Sequence, residues 1–440
     1  MRNSKTLLCG LIVLLTHGLS GAAFSPTSTR PVPCCPIKST GTNDDDECSQ
    51  ASVTVKSFSC LLKDKIIPTK HSRGPYRRLH KQTLHSDYEF DYQTNILVLN
   101  KPNDQNTTSS HRVILLIHPI GVGIGRWYYD RLLAEMKNRE TSFTQPTTVI
   151  ALDLLACASA SEPVIDTKQQ KLLPTDKLPL LTVKDWSNQV IQLMEQYEAS
   201  TTDSVDWVLL SNGGCVPIAL DAAAQVPSKV SHVILSAPPR LVGLLRESPS
   251  PTKLHKAYRR LSGIAGRVFW WYALRKNGTF IQTFSERNLA ANASTLGDSW
   301  TPTCVATCRA YPKSRYSTFA FLAGSLQWDC RNTLKTLQTI PMPIDVIQGG
   351  DRRSNPAKSW LWDKQRQRQR PVPAVQSISE YLQENGNGGR ERVVGGRRCP
   401  AHEDPVGFAV ALLELLEASN DMTSPTRITW RDFFEQHRKE

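Results

Sequence analysis

Beyond its first fifteen residues this 440-residue chain has no apolar run long enough to span a bilayer, so no membrane helix is expected past the N-terminus. It lacks Cys/His spacing of the zinc-binding kind, and its eleven cysteines are too scattered for a compact disulfide framework. Internal repeats and nucleic-acid-binding motifs are also missing. Acidic residues are in short supply: 40 Asp and Glu stand against 53 Lys and Arg, a formal charge of +13. Such an excess favours anionic partners in general, yet the cations are dispersed. Their densest runs, Lys63 to Lys81 and Arg366 to Arg370, read as solvated linkers. The chain is therefore expected to work without metal, cofactor or nucleic acid.

What is present begins with a targeting pattern. Arg2 and Lys5 precede the apolar run Leu7 to Leu15, and Gly21-Ala22-Ala23 offers small residues for cleavage. Residues 1–23 are expected to be a signal peptide. Residues 24–85, rich in Ser, Thr, Lys, Arg and Pro, are expected to be a transit peptide and linker, largely disordered. The stretch Gly21-Ala22-Ala23-Phe24-Ser25-Pro26 resembles the signal/transit junction of bipartite presequences in algae with complex plastids. That resemblance implies delivery to a plastid through the ER, with secretion as the alternative. The cluster Asp44-Asp45-Asp46-Glu47 departs from an acid-poor transit peptide. Sequons at Asn106, Asn277 and Asn292 permit glycosylation in the ER.

From Ser86 the pattern is globular. Tyr88 to Leu99 reads as a strand pair, and Val113 to Ile117 is a continuous apolar run, as in a strand buried on both faces of a parallel sheet. Further strands are expected at Thr148 to Leu152, Val205 to Leu210, Val230 to Leu235 and Ile344 to Ile347, with Arg392 to Val394 as a last short one. Helices are expected at Trp127 to Met136, after the Thr182/Asp185 capping pair, at Gly214 to Ala224 and at Val406 to Glu417. The alternation predicts an α/β protein with a mostly parallel, doubly wound sheet built from residues 86–240 and 340–440. Residues 241–339 are helical and aromatic-rich, a cap inserted after the sixth strand. A polar, Pro/Arg/Gly-rich stretch at about 352–389 is expected to be disordered.

One stretch carries the chemistry. Trp207-Val208-Leu209-Leu210-Ser211-Asn212-Gly213-Gly214-Cys215 passes from an apolar strand through two glycines straight into a helix, the setting of a nucleophile elbow. With Ser211 at the tip, Gly213 is the small residue two positions later, and Leu209 stands where the other small residue belongs. Around it, His118-Pro119-Ile120-Gly121 resembles the His-Gly oxyanion loop of the α/β-hydrolase fold. Asp153-Leu154-Leu155-Ala156-Cys157-Ala158-Ser159 resembles that fold's D-L-x-G-x-G-x-S loop, with Ala156 and Ala158 in place of glycines. Gly349-Gly350-Asp351 resembles its acid-bearing strand end, and Glu403-Asp404-Pro405 the E-x-P after its catalytic histidine.

Four stretches more narrowly resemble plastid α/β-hydrolase-like proteins of plants and algae: Gly121 to Tyr128, Asp153-Leu154-Leu155, Phe284 to Leu289 and Arg315 to Gly324.

The resemblance implies a serine hydrolase with Ser211 as nucleophile, Asp351 as acid and His402 as base, and oxyanion N–H groups from Asn212 and the Ile120/Gly121 turn. Pro119 has no N–H to give. In the H-x4-E-x-P pattern, however, the histidine position falls on Arg398, which stays protonated and cannot take up a proton. His402, four residues on, and His118, at the mouth of a neighbouring strand, are the stand-ins. Two functions follow. One is an esterase or acyl-lipase acting on a small apolar substrate; the other is a non-catalytic protein of the same fold that binds a ligand or partner through the cap pocket. Peripheral membrane contact is compatible with either.

Overall fold

The computed structural model describes residues 72–76, 88–99, 111–161, 163–164, 178, 180–271, 278–350, 377–386 and 388–420. The signal and transit segments expected at 1–85 (apart from 72–76), the acid expected at Asp351 and most of the polar stretch lie outside them.

Strands β1 (Ser72–Tyr76), β2 (Tyr88–Tyr92) and β6 (Pro163–Val164) form a small antiparallel sheet. The main sheet has seven strands: β3 (Thr94–Leu99), β4 (His111–Ile117), β5 (Thr147–Leu152), β7 (Val205–Asn212), β8 (Val230–Ser236), β9 (Ile344–Gly349) and β10 (Gly388–Val394). Their order is β10-β9-β8-β7-β4-β5-β3, and every pairing is parallel except that of β3 with β5. This is the α/β-hydrolase fold. Val113 to Ile117 and Val149 to Leu152 are fully buried, because helices cover both faces of the sheet and leave no solvent side for polar residues.

The helices are α1 (Asp130–Asn138), α2 (Val183–Glu198), α3 (Val216–Gln225), α4 (Leu241–Leu244), α5 (Pro251–Leu261), α6 (Ile264–Phe269), α7 (Thr279–Asn288) and α8 (Ala293–Leu296). They continue with α9 (Trp300–Ala310), α10 (Arg315–Ala323), α11 (Arg331–Gln338), α12 (Ile378–Glu384), α13 (Pro400–Glu403) and α14 (Pro405–Asn420). α1 packs against α14, and α2 against α3, giving the two helical layers. Thr182 and Asp185 form the expected capping box at the start of α2: the Thr182 N–H donates to Asp185 at 2.7 Å. Its face of Val183, Trp186, Val190, Leu193 and Met194 is buried. Helices α4 to α11 all lie between β8 and β9. No helix among the described residues is long and apolar enough to cross a membrane.

The polar stretch expected to be without structure is ordered at its far end. Ser377 and Glu380 make a reciprocal capping box that starts α12, and Ile378 and Leu382 are buried. β10 begins at Gly388, four residues before the strand expected from Arg392. Ser-x-x-Glu ahead of an apolar residue was the signal, hidden by the surrounding Gln, Asn and Gly.

The loop after β5 is built around a buried carboxylate. Asp153 accepts from the Arg126 N–H at 2.7 Å and the Ser159 N–H at 3.2 Å, pairs with the Arg126 guanidinium, and accepts from the Ser159 hydroxyl. Arg126 in turn reaches Asn95 and Gln93. This cage bends the backbone so far that Ala156 and Ala158 sit at φ +61° and +36°. Left-handed backbone costs a non-glycine residue about 1–2 kcal/mol, and a glycine there costs roughly 0.5–1 kcal/mol of unfolded-state entropy. Ala156→Gly should therefore stabilise the protein by up to about 1 kcal/mol, read as a higher urea midpoint with unchanged slope.

Candidate functional site

The loops that follow β4, β5, β7, β8 and β9 open at the C-terminal edge of the sheet, where parallel α/β proteins place their ligands. The turn after β7 is the tightest of them. Asn212 is still extended (φ −110°, ψ 134°), Gly213 is left-handed at φ +59°, and the helical turn begins at once. A nucleophile elbow carries its strained, positive-φ residue at the tip. That residue is Gly213, two positions beyond the Ser211 of the sequence reading. In the corrected register the small residues two before and two after the tip are Ser211 and Cys215, both fully buried. Leu209 is then an ordinary core residue of β7, opposite Leu115 and Val233. A Cβ added at Gly213 would meet no atom within 4 Å, so the space where an elbow side chain would stand is open.

Ser211 lies beneath that space. It pairs with Ile117 and Leu235 in the sheet, is fully buried, and its Oγ has no hydrogen-bond partner among the described residues. Cys215 is no substitute nucleophile, since burial pushes its thiol up to about 12. Asn212 is a junction. Its Oδ1 accepts from the hydroxyls of Tyr128 (3.2 Å) and Ser236 (2.8 Å), and its amide donates to the Arg398 carbonyl at 3.0 Å. One side chain thus ties β7 to β8, to the turn before α1 and to the loop before α13.

That last loop holds the residues expected to supply the base. Arg398 is exposed, with its N–H bonded to the Leu289 carbonyl at 3.0 Å. His402 points elsewhere: its ring stacks on Tyr128 (6.0 Å between centroids) and meets Trp300 (4.7 Å) and Trp127 (6.1 Å) edge-on. Its Nε2 donates to the Leu296 carbonyl at 3.0 Å. Burial lowers its pKa to about 4, so it is neutral and its Nε2 proton is committed. Glu403, of the E-x-P pattern, is a loop anchor. It accepts from the N–H groups of Ala291, Arg397 and Cys399 and from the Thr295 hydroxyl.

His118, the second stand-in, is fully buried. Its Nε2 accepts from the Leu154 N–H at 3.1 Å, which fixes the proton on Nδ1, and Nδ1 donates to the Pro119 carbonyl at 3.0 Å. Desolvation lowers its pKa, and it holds the β4 and β5 loops together. Of the expected oxyanion loop, Ile120 is buried and the Gly121 carbonyl accepts from Thr318 of α10 at 3.2 Å. The N–H that follows the tip is Gly214's rather than that of Asn212. A Cβ on Gly214 would lie 3.5 Å from Leu326 and 3.9 Å from Phe321, so the helical insertion brings apolar side chains beside the turn. Asp351 lies outside the described residues; Gly350, just before it, donates its N–H to the Val394 carbonyl at 2.7 Å. The structure therefore brings Asn212, Arg398 and the His402 cluster to one end of β7, but among the described residues no imidazole bonds to Ser211. The sequence carried the pattern for a tip at Gly213: it has small residues at both of its two-residue neighbours, and Ser211 does not.

No protein-family model and no curated protein matches the chain. Among solved structures it is similar to a thermophilic esterase from Thermogutta terrifontis, with 13% identity over 79% of this chain and 99% of that one, TM-score 0.46. It is also similar to a probable hydrolytic enzyme from Pseudomonas aeruginosa (14% identity, 80% and 96%, TM-score 0.49). A third is the peroxisomal α/β-hydrolase of Saccharomyces cerevisiae (14% identity, 84% and 93%, TM-score 0.49). These are likenesses in the course of the chain, and no site residue is transferred from them.

The environment of His402 sets a pH dependence. In the folded chain it stays neutral down to about pH 4, whereas unfolded it takes a proton near 6.5, so the unfolded state binds more protons between these values. Stability should fall as pH drops from about 6.5 to 4, by about 2–3 kcal/mol from this group. In His402→Phe that component should be missing, which denaturant titrations of parent and variant across this window will measure.

Proposed function

We propose that the protein is a non-catalytic member of the α/β-hydrolase fold that binds a small apolar ligand at the mouth above Gly213. The observation that carries this reading is the glycine at the elbow tip, which has no atom with which to attack. A serine nucleophile must stand exposed with a base within about 3 Å, and Ser211 is sealed in the sheet without such a partner among the described residues. Arg398 cannot act as a base, and His402 donates its Nε2 proton to a carbonyl. Phe321 and Leu326 beside Gly214 support an apolar ligand. Delivery to a plastid through the ER belongs to the same proposal and rests on Phe24 at the expected cleavage junction.

The serine-hydrolase reading, with Ser211, Asp351 and His402, shares the fold and the mouth, and one experiment separates the two. The parent should not be labelled by a fluorophosphonate and should not turn over p-nitrophenyl butyrate above background. It should be stabilised against heat by methyl decanoate. Gly213→Ser combined with Arg398→His places a hydroxyl at the tip and an imidazole in the loop, and should gain labelling and at least about 10²-fold in turnover. Labelling of the parent that disappears in Ser211→Ala would establish the enzyme instead. For localisation, a fluorescent fusion of residues 1–65 should enter the plastid, Phe24→Ala should hold it in the ER, and secretion of the unaltered fusion would overturn the plastid route.

A further inference from the structure

The insertion has a second surface, formed by α5 and α6. From Ser248 to Ser285 the sequence contains no Asp or Glu, but it contains Lys253, Lys256, Arg259, Arg260, Arg267, Arg275 and Lys276. α5 and the start of α6 fall in this stretch. In α5 the buried residues Leu254, Tyr258 and Leu261 recur at i, i+4 and i+7. Lys253, Lys256 and Arg260, at i, i+3 and i+7, occupy the opposite face, with Arg259 alongside. All four are exposed, and none has an ion-pair partner among the described residues. Ser262 and Gly263 then turn the chain into α6.

α6 and the two residues that continue it, Trp270 and Trp271, are amphipathic in the reverse sense. Gly266 and Trp270 are buried, whereas Ile264, Val268 and Trp271, at i, i+4 and i+7, are 82%, 41% and 55% exposed. Both helices rest on the same support. α5 packs on α10. In α6, a Cβ on Gly266 would come within 3.3 Å of Phe319 of α10, and just beyond α6 the Trp270 ring meets Phe319 edge-on at 6.1 Å. Because both inner faces lie on α10, both outer faces point away from it. The result is a row of unneutralised cations beside a stripe of isoleucine, valine and tryptophan.

We propose that this surface docks on an anionic phospholipid bilayer, with Lys253, Lys256, Arg259 and Arg260 at the headgroups and Ile264, Val268 and Trp271 inserted at the acyl boundary. Charge complementarity favours this occupant: cations attract anionic lipid, and an indole is stable at the headgroup level. Exposing such a stripe to water is unfavourable, and burying it shallowly in a membrane interface removes that cost. Docking here is independent of whether the mouth above Gly213 binds or hydrolyses its ligand, because no residue of that mouth takes part.

The test is flotation of the full-length protein with vesicles of phosphatidylcholine, with or without phosphatidylserine. Parent and variants carry the same N-terminal apolar run, so its contribution is common to all. The parent should bind vesicles containing phosphatidylserine in preference to phosphatidylcholine alone. Lys256→Glu combined with Arg260→Glu should lower that binding at least about tenfold, and raised salt should do the same to the parent. Ile264→Ser combined with Trp271→Ser should also weaken binding and should leave its salt dependence in place. All four substitutions are at exposed positions, and unchanged circular dichroism and melting temperature would show that the variants remain folded. Equal binding to both vesicle types, or full binding by the charge-reversed variant, would overturn the proposal. So would binding to soluble polyglutamate without binding to vesicles, which would assign the surface to an acidic protein.

Discussion

Everything at the candidate site depends on how a buried strand becomes a helix in three residues. β7 has neighbours on both sides and helices on both faces, so the chain can leave it only upward, at the C-terminal edge, and must reverse immediately into α3. That reversal forces one residue into the left-handed region, and the backbone packing on either side demands small side chains two positions away. Ser211 and Cys215 meet the second demand, and Gly213 meets the first at no steric cost. An enzyme using this turn accepts strain at the tip in exchange for an exposed nucleophile. Here the tip is the residue for which left-handed backbone is least costly. The turn at Gly213 has the backbone course of such an elbow and carries no side chain at its tip.

The same division runs through the surrounding loops. His118 links Leu154 to the β4 loop, Asp153 gathers Arg126 and Ser159, and Glu403 collects three backbone N–H groups and a hydroxyl. These groups are buried or nearly so, and removing one would leave its partners unsatisfied inside the protein, a penalty of about 1–3 kcal/mol for each. The fold needs these residues whatever chemistry the site performs. A nucleophile or general base makes few obligatory contacts, so its loss leaves the fold intact. On the proposed non-catalytic reading, that asymmetry accounts for scaffold motifs standing beside a glycine tip and an arginine at the histidine position.

The fold was readable for the same reason. Strands buried on both faces give unbroken apolar runs, and the Thr182/Asp185 box marks a helix start with two residues; each of these appears in the structure close to where the pattern puts it. The elbow register was less readable because a serine followed by glycines attracts the eye to the serine. Only the small residues two positions either side distinguish Ser211 from Gly213, and that test favours Gly213. The aromatic enclosure of His402 could not have been read from spacing at all. It depends on Tyr128, Trp127 and Trp300, which come from two distant parts of the chain to enclose the ring. α12 was missed through composition, since a short helix among Gln, Asn and Gly is revealed only by its cap.

The helical insertion shows how one element can serve two surfaces. α10 carries Phe321 toward the turn at Gly214, while Phe319, two residues earlier, supports Gly266 of α6 and Trp270 just after it. Two residues apart on a helix are about 200° apart around its axis, so such side chains must face nearly opposite sides. The inner side of α10 therefore helps wall an apolar mouth, and its outer side is the floor on which the basic and apolar hairpin rests. A helix packed on both sides has little freedom to tilt, because cores at crystal-like density transmit displacement rather than absorb it. The phenylalanine beside Gly214 and the floor of the outer surface are thus supplied by one helix, through different side chains of it.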